Sequence, residues 1–284
     1  MTVNHINLTR LASCALLATF LMAGLTTTPA LAQEYKEAYN AAKTAAEAKD
    51  YKTAYTKYEE AARGAQSAGD QSVVDMSNRV LSQLDKIYGT KAYKAKNYDE
   101  AKGHFEKGIA HNPNNAKNYH SLGLALKNLG DIDGAMAALV KAMEVGSASG
   151  DRKTSNIARG AIRKHFYFQA SSAVSKRNPS AADGNRALAA LEALKEYLEP
   201  DADFWYYSAE AYKAKNNFAQ SLSAADNALE LHKGTRSDKA KIYFVKGEAL
   251  MATGNFDGAK AAFRNAAYGS YKAAAEDMIN NRLN

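Results

Sequence analysis

Small and apolar residues recur along the chain with a spacing that places them on one face of successive helices. An Asn or Asp is followed by a large apolar residue, and further small or apolar residues come three, seven and ten positions after that one. Steps of three and four residues follow the turn of an α-helix. Asn and Asp are favoured N-caps, because their side chains accept a backbone N–H. The pattern predicts five helices, which start after Asp50, Asn97, Asp131, Asn217 and Asn255.

A second helix precedes these segments and carries a small residue at a fixed place. Ala209 and Ser221 are twelve residues apart, as are Gly123 and Ala135, and Gly247 and Ala259. Small side chains allow two helices to approach closely. The sequence therefore predicts a helix–turn–helix unit that is repeated about every 34 residues.

This unit resembles the tetratricopeptide repeat, whose first helix reads large–x2–large–small–x2–large and whose second reads small–x3–large–x2–small. The resemblance implies an all-α fold, an α-solenoid in which the repeats form a right-handed superhelix. The repeats fall near 35–68, 82–115, 116–149, 202–235 and 240–273, and a degenerate unit with Ala187, Leu191 and Leu194 on its second helix lies between the third and fourth. The residues that match the structural signature are Ala54, Ala101, Gly123, Ala135, Trp205, Ala209, Ser221, Gly247 and Ala259.

The chain divides into four segments on this basis. Residues 70–81 are expected to extend the first helix of the second repeat, and 178–184 to form a loop. The tail from Tyr271 to Leu283 is expected to be a helix that covers the last repeat, as solenoid ends generally need. The segments are a signal peptide at 1–32, an array of about three repeats at 33–150, a degenerate repeat with an insertion at 151–200, and C-terminal repeats with a capping helix at 201–284.

The N-terminus has the order of features found in secretory signal peptides. A single cation, Arg10, precedes an apolar stretch from Leu11 to Leu25, and Ala30-Leu31-Ala32 offers small residues at −3 and −1. We expect cleavage after Ala32. A transmembrane anchor is the alternative, but the apolar stretch of about 15 residues is shorter than the roughly 20 that span a bilayer. A lipobox around Cys14 is a second alternative, although that cysteine lies near the start of the apolar stretch rather than after it.

Composition and charge are those of a soluble helical protein. Hydrophobic residues make up 46% of the 284 positions, and only four are proline. The single cysteine excludes a disulfide framework and a cysteine-based metal site. Removal of residues 1–32 takes away Arg10 and no acid, which lowers the net charge from +7 to +6. We therefore expect an exported soluble protein, most simply periplasmic, with a secreted or cell-surface location as the alternative.

No catalytic set is visible in the sequence. The chain lacks an HExxH helix, a GxSxG elbow and a phosphate-binding glycine loop. His104 and His111 are seven residues apart near Glu106, and we interpret them as surface histidines, since two helical turns are too far for one shared ion. The sequence predicts no enzyme activity, no catalytic residue, no metal and no cofactor.

The family resemblance implies a binding groove, because the first helix of each repeat lines the concave surface. Its front half is rich in Lys and Tyr with little acid, while its rear half is mixed in charge. Either the groove selects acidic or C-terminal peptide segments by electrostatic steering and aromatic contact, or these lysines merely solvate an exposed helix face. The groove residues are Lys36, Tyr39, Lys43, Lys86, Tyr93, Lys94, Lys117, His120 and Lys127 in the first three repeats, and Tyr206 and Lys213 further on, among Asp203, Glu210, Lys241, Phe244 and Glu248.

The basic and aromatic cluster at 163–168 also has two interpretations. Its rings could stack on nucleobases or on a peptide, or they could bury against neighbouring helices, which we favour.

The favoured function is a non-enzymatic exported scaffold that binds peptide segments or protein partners in its groove and assists the assembly or organisation of envelope complexes. Its partner could be acidic, no specific nucleic acid is expected, and membrane association would come only through partners. The alternative is a binding module for an acidic non-protein ligand, namely nucleic acid or an anionic envelope polymer.

Overall fold

The computed structural model describes residues 29–283, and every regular element in that range is helical. The prediction of an all-α fold is therefore confirmed. The predicted signal peptide falls largely outside the described residues, as do Cys14 and the apolar stretch around it. The export and localisation of the protein therefore stay predictions. None of the described helices is both long enough and apolar enough to cross a bilayer.

Within the described range, twelve helices follow one another as six pairs, and short helical turns close the chain. A 3-10 turn at Gly269–Tyr271, α13 at Lys272–Asp277 and a π-helical turn at Met278–Arg282 come last. The pairs are α1 (Pro29–Glu47) with α2 (Tyr51–Ala68), α3 (Gln71–Lys94) with α4 (Tyr98–His111), α5 (Ala116–Leu129) with α6 (Ile132–Ala148), α7 (Arg152–Val174) with α8 (Ala181–Lys195), α9 (Ala202–Ala214) with α10 (Phe218–Leu231), and α11 (Arg236–Ala252) with α12 (Phe256–Ala266).

The chain forms two compact units, whose boundary falls after Ser77 within α3. In the first unit, α1 and α2 pack around a small core that includes Tyr35, Ala65 and Val74. The Tyr35 hydroxyl donates to Asp70 Oδ2 at 2.9 Å, which ties the first helix to the turn before α3.

The second unit is a succession of helix pairs in which each pair packs on the next. Besides the contacts within pairs, α5 touches α7, α7 touches α9, and α9 touches α11, so the first helices of the pairs form one continuous layer. The largest core cluster passes through several pairs and includes Leu139 on α6, Ile162 on α7, Leu191 on α8 and Phe204 on α9. Each pair thus buries its apolar face only by stacking on its neighbours.

Glycines mark the points where the two helices of a pair come closest. A Cβ on Gly247 would lie 2.7 Å from Cε1 of Phe263, and one on Gly123 would lie 2.9 Å from Cγ of Leu139. The large residue on the second helix therefore requires a small residue on the first helix opposite it. This requirement is the physical basis of the repeated sequence pattern. The structure places the signature residues accordingly: Ala54, Ala101, Ala135, Ala209, Ser221 and Ala259 are fully buried, Gly123 and Gly247 are buried, and Trp205 is half-buried.

The observed helix bounds agree with two of the expected local features and correct a third. The expected extension of the second repeat is continuous with α3, and the tail is helical, although it is divided into three short elements. The predicted loop at 178–184 ends early, because α8 begins at Ala181. Ser180 and Asp183 form a capping box there: the Ser180 N–H donates to Asp183 Oδ2 at 2.8 Å, and the Asp183 N–H donates back to Ser180 Oγ at 3.3 Å.

Candidate functional site

The first helices of the pairs in the second unit present a shared surface, here called the A-helix face. It comprises α5, α7, α9 and α11 together with the part of α3 that follows Ser77, which a hydrogen bond between Tyr93 and Asn128 joins to α5. We call the portion on α3, α5 and α7 the front stretch, and the portion on α9 and α11 the rear stretch. Of the predicted groove residues in this unit, the front stretch carries Lys86, Tyr93, Lys94, Lys117, His120 and Lys127, and the rear stretch carries Tyr206 and Lys213.

The lysines of the front stretch have no acidic partner among the described residues. Lys94, Lys117 and Lys127 are exposed and Lys86 is half-buried, and no salt bridge within 4.0 Å joins any of the four to a carboxylate of the described chain. None of these four charges is held in a direct ion pair within the described chain, which leaves them available to an anionic ligand.

Two histidines lie beside these lysines, and the pKa of each is lowered. Burial lowers the pKa of His120, and the charge of Lys86 on the preceding first helix lowers it further. Burial likewise lowers the pKa of His165 on α7, with a second contribution from Lys127. A bound anion would oppose the effect of the lysine charges, so this surface can gain protons when it binds negative charge.

Tyr93 has a structural role that the sequence did not reveal. Its hydroxyl accepts a hydrogen bond from Asn128 Nδ2 at 2.9 Å, which joins α3 to α5. Its ring packs edge-on against Tyr98 on α4, with 5.3 Å between centroids. Tyr93 thus holds the front stretch together, whatever else it contacts.

The rear stretch differs because its charges are paired with one another. Lys213 Nζ lies 2.8 Å from Glu210 Oε2 on its own helix and 2.5 Å from Glu248 Oε2 on α11. Burial opposes the charge of Lys213, but the two carboxylates outweigh it and raise the pKa of the ammonium group. Lys241 Nζ lies 2.6 Å from Asp203 Oδ1 and 4.6 Å from the centre of the Tyr206 ring. These contacts tie α9 to α11, so Lys213 and Tyr206 belong to a structural network.

The basic and aromatic cluster at 163–168 is mostly built into the helix packing. Phe166 is buried and stacks on Tyr197 with 5.6 Å between centroids. The Tyr167 hydroxyl donates to Asp201, and Arg163 Nε lies 2.9 Å from the same carboxylate. These contacts agree with the favoured interpretation of the cluster, while Lys164 is exposed and Phe168 is 70% exposed.

The three predicted groove residues of the first unit, Lys36, Tyr39 and Lys43, all lie on α1. Tyr39 packs edge-on against Tyr58, with centroids 5.6 Å apart, and its hydroxyl donates to the Met76 sulfur at 3.6 Å. Lys36 Nζ lies 5.9 Å from the centre of the Tyr35 ring. Lys43 is exposed on α1.

His104 and His111 are not simple surface histidines, which corrects the sequence interpretation. Each side chain is only about one-quarter exposed, and both flank the carboxylate of Asp85, which is fully buried. His104 Nδ1 lies 3.4 Å from Asp85 Oδ1, and His111 Nε2 lies 3.6 Å from Oδ2. No spacing in the sequence indicates this arrangement, because Asp85 comes from a different helix. In the described part of the chain, no group of three such side chains has the geometry to hold a metal ion.

The second unit is thus an all-helical array of stacked pairs with a charged surface on its first helices. Models of the tetratricopeptide repeat match residues 104–137 and residues 240–268. The first match overlaps the second and third of the repeats that the sequence pattern predicts, and the second match lies within the last one. The chain therefore contains tetratricopeptide repeats in these two segments.

Several solved structures are similar to this chain at low sequence identity and low TM-score. The MamA protein is 17% identical, with a TM-score of 0.35 over 72% of this chain and 97% of that one. A thermophilic tetratricopeptide repeat protein of Thermus thermophilus is 16% identical, with a TM-score of 0.30 over 69% and 97%. A tetratricopeptide repeat protein of Parabacteroides merdae is 14% identical, with a TM-score of 0.32 over 89% and 100%. No curated protein matches the chain.

Proposed function

We propose that this protein is an exported, non-enzymatic scaffold that binds peptide segments or protein partners on its A-helix face and assists the assembly or organisation of envelope complexes. Stacked repeats offer an extended surface with many shallow contacts, which suits peptides and assemblies. Acidic segments are the favoured targets, and the front stretch is their site.

The observation that carries this proposal is the unpaired charge of the front stretch. Lys86, Lys94, Lys117 and Lys127 form no ion pair with a carboxylate of the described chain, whereas in the rear stretch Lys213 pairs with two carboxylates and Lys241 with one. A partner that supplies carboxylates could pair with the front-stretch lysines without breaking any intramolecular ion pair. The desolvation of those lysines is therefore better compensated than that of the rear-stretch lysines would be.

Crosslinked affinity capture tests the proposal in the protein's own host. The tagged chain is compared with a variant in which Lys86, Lys94, Lys117 and Lys127 are changed to Glu, and with a control in which Lys96, Lys107, Lys141 and Lys233, exposed residues outside the first helices, are changed to Glu. We expect the chain and the control to capture the same envelope partner and the first variant to lose it. Capture by all three would place the binding surface elsewhere, and capture by none would overturn the scaffold proposal.

Localisation is tested in the same cells. We expect the chain in the envelope fraction, with Gln33 as its first residue after cleavage. A chain that retains residues 1–32 in the cytoplasm would contradict the exported role.

The same unpaired lysines also favour a second candidate, a binding module for nucleic acid or an anionic envelope polymer. Salt dependence distinguishes the two. Binding to a polyanion releases counterions, so the logarithm of the binding constant falls linearly with the logarithm of the salt concentration. A steep slope with a polyanion, together with no captured protein, would favour this candidate.

A further inference from the structure

A polar pocket of about 590 Å³ opens at one edge of the second unit. It forms where α3, the connection between α4 and α5, and the connection between α6 and α7 come together. Arg79, Gln83 and Lys86 project from α3, and Lys117 projects from the first turn of α5. Only Lys86 and Lys117 belong to the groove that the family resemblance predicts.

Most polar groups in this pocket that have no intramolecular partner are hydrogen-bond donors. No salt bridge or side-chain hydrogen bond within the described chain engages Arg79, Lys86 or Lys117, and the side-chain amides of Gln83 and Asn114 are also unengaged there. Lys and Arg side chains can only donate. The pocket therefore offers several donors to a ligand, and three of the groups that supply them carry positive charge.

The side-chain acceptors of Asp151, Asn112 and Asn115 are used within the protein, so the neutral amide oxygens of Gln83 and Asn114 remain as acceptors in the pocket. Asp151 caps α7: it accepts from the Thr154 N–H at 3.1 Å and from the Thr154 hydroxyl at 2.7 Å. These hydrogen bonds lower the pKa of Asp151, with a smaller contribution from Lys117. The Asn112 side chain accepts from the Asn114 N–H at 3.1 Å. The three cations thus face one carboxylate that is already committed to a helix cap, and the pocket keeps a net positive charge.

We propose that this pocket binds a carboxylate of an acidic peptide segment and so anchors the partner of the A-helix face, an inference that rests on the proposed function. A carboxylate has only acceptors and matches a site of unengaged donors, and hydrogen bonds to charged groups are the strong ones. Ile87 lies in the same wall and is 43% exposed. It gives the methylene groups of a glutamate an apolar surface, which inorganic phosphate could not use.

Binding of fluorescein-labelled acetyl-hexaglutamate to the full chain tests this site by fluorescence anisotropy, at about 50 mM salt, where screening is weak. The pocket variant is Arg79→Gln with Lys117→Gln. Its matched control is Lys91→Gln with Lys107→Gln, which removes the same charge from exposed positions of the same unit outside the pocket. A third variant, Lys94→Gln with Lys127→Gln, removes that charge from the front stretch without touching the pocket.

We expect the pocket variant to bind hexaglutamate at least about tenfold more weakly, as loss of two charge-assisted contacts implies, and the matched control to bind within about twofold of the unchanged chain. Unchanged thermal midpoints by circular dichroism would show that the variants are folded.

Each other outcome overturns a definite part of the inference. Equal losses in the pocket variant and its control would mean unspecific attraction to net charge, and a chain that binds no hexaglutamate has no such site. A loss confined to the Lys94 and Lys127 variant would retain the A-helix face and reject the pocket. If inorganic phosphate displaces hexaglutamate at a lower concentration than acetate does, the preferred ligand of the pocket is a phosphate rather than a carboxylate. If hexaglutamate binds the pocket but the host yields no partner, the scaffold proposal fails while the site stands.

Discussion

The front and rear stretches of the A-helix face carry lysines on equivalent helices but use them differently. In the rear stretch, Lys213 and Lys241 find carboxylates on the neighbouring first helix and hold α9 against α11. In the front stretch, Lys94 and Lys127 meet no carboxylate of the described chain, and α3 is joined to α5 by neutral hydrogen bonds such as that between Asn128 and Tyr93. The sign of a groove charge alone therefore does not show whether it stabilises the fold or is available to a ligand. The presence or absence of an intramolecular ion pair distinguishes the two roles.

The strongest way to break this comparison is to remove the central cation of the rear network. We expect Lys213→Met to lower the free energy of unfolding by about 2 kcal/mol, because Glu210 and Glu248 are left close together and partly buried without their shared counterion. Urea unfolding measures the effect. The matched variant Lys94→Met should change stability by less than about 0.5 kcal/mol, and equal changes in both variants would remove the distinction between the stretches.

Alkaline pH should erase the stabilisation that Lys213 provides. Its pKa is raised in the folded state, so its contribution is fully present below the unfolded pKa of about 10.4 and is lost as pH rises through the folded value. The stability difference between the unchanged chain and Lys213→Met should therefore shrink above about pH 10.4. Unfolding curves at several alkaline pH values test this, and a constant difference would contradict the raised pKa.

An acid can be introduced in the front stretch to imitate the rear one. His120 lies beside Lys86, and His120→Glu should pair with it and raise stability by up to about 1 kcal/mol, the usual limit for a partly exposed ion pair. The same change should weaken binding of acetyl-hexaglutamate, because the new carboxylate competes for Lys86. His120→Gln is the control. Tighter binding by the Glu variant would show that Lys86 is not part of the site.

Acid pH should affect a third region, the start of α8, by a smaller amount. Lys176 Nζ lies 2.6 Å from Asp183, and Ser180 donates to the same carboxylate from both its N–H and its hydroxyl. The hydrogen bond from Lys176 leads the interactions that lower the pKa of Asp183. Stability from this group is present above the unfolded pKa of about 3.9 and is lost as pH falls through the folded value. The unchanged chain should lose this stability below about pH 4, and Asp183→Asn should not show that loss. Unfolding curves with the same pH dependence in both proteins would argue against the capping role.

The periodic features of the sequence predicted most of the fold. Gly123 and Gly247 are small because Leu139 and Phe263 occupy the space opposite, and this requirement is local enough to appear as a spacing. The start of α8 was missed because Asn178-Pro179 indicates a loop, whereas the capping box that starts at Ser180 reverses that preference.

The pairing of the groove charges could not be predicted from single repeats. Lys213 and Glu248 are 35 residues apart, and Lys241 and Asp203 are 38 apart, which is about one repeat. Superposing the charges of adjacent repeats would have revealed both pairs. The buried Asp85 beside His104 and His111 has no comparable signal, since its partners lie on the second helix of the same pair at unrelated positions.

The ion pairs between α9 and α11 have a consequence for how the molecule opens. Each repeat of a solenoid is stabilised by its interfaces with its nearest neighbours, so an interface that contains additional bonds couples the two repeats on either side of it. Lys213 and Lys241 bridge one such interface. The amide hydrogens of α9 and α11 should therefore exchange with solvent together, in one cooperative opening, whereas helices joined only by neutral contacts can open separately.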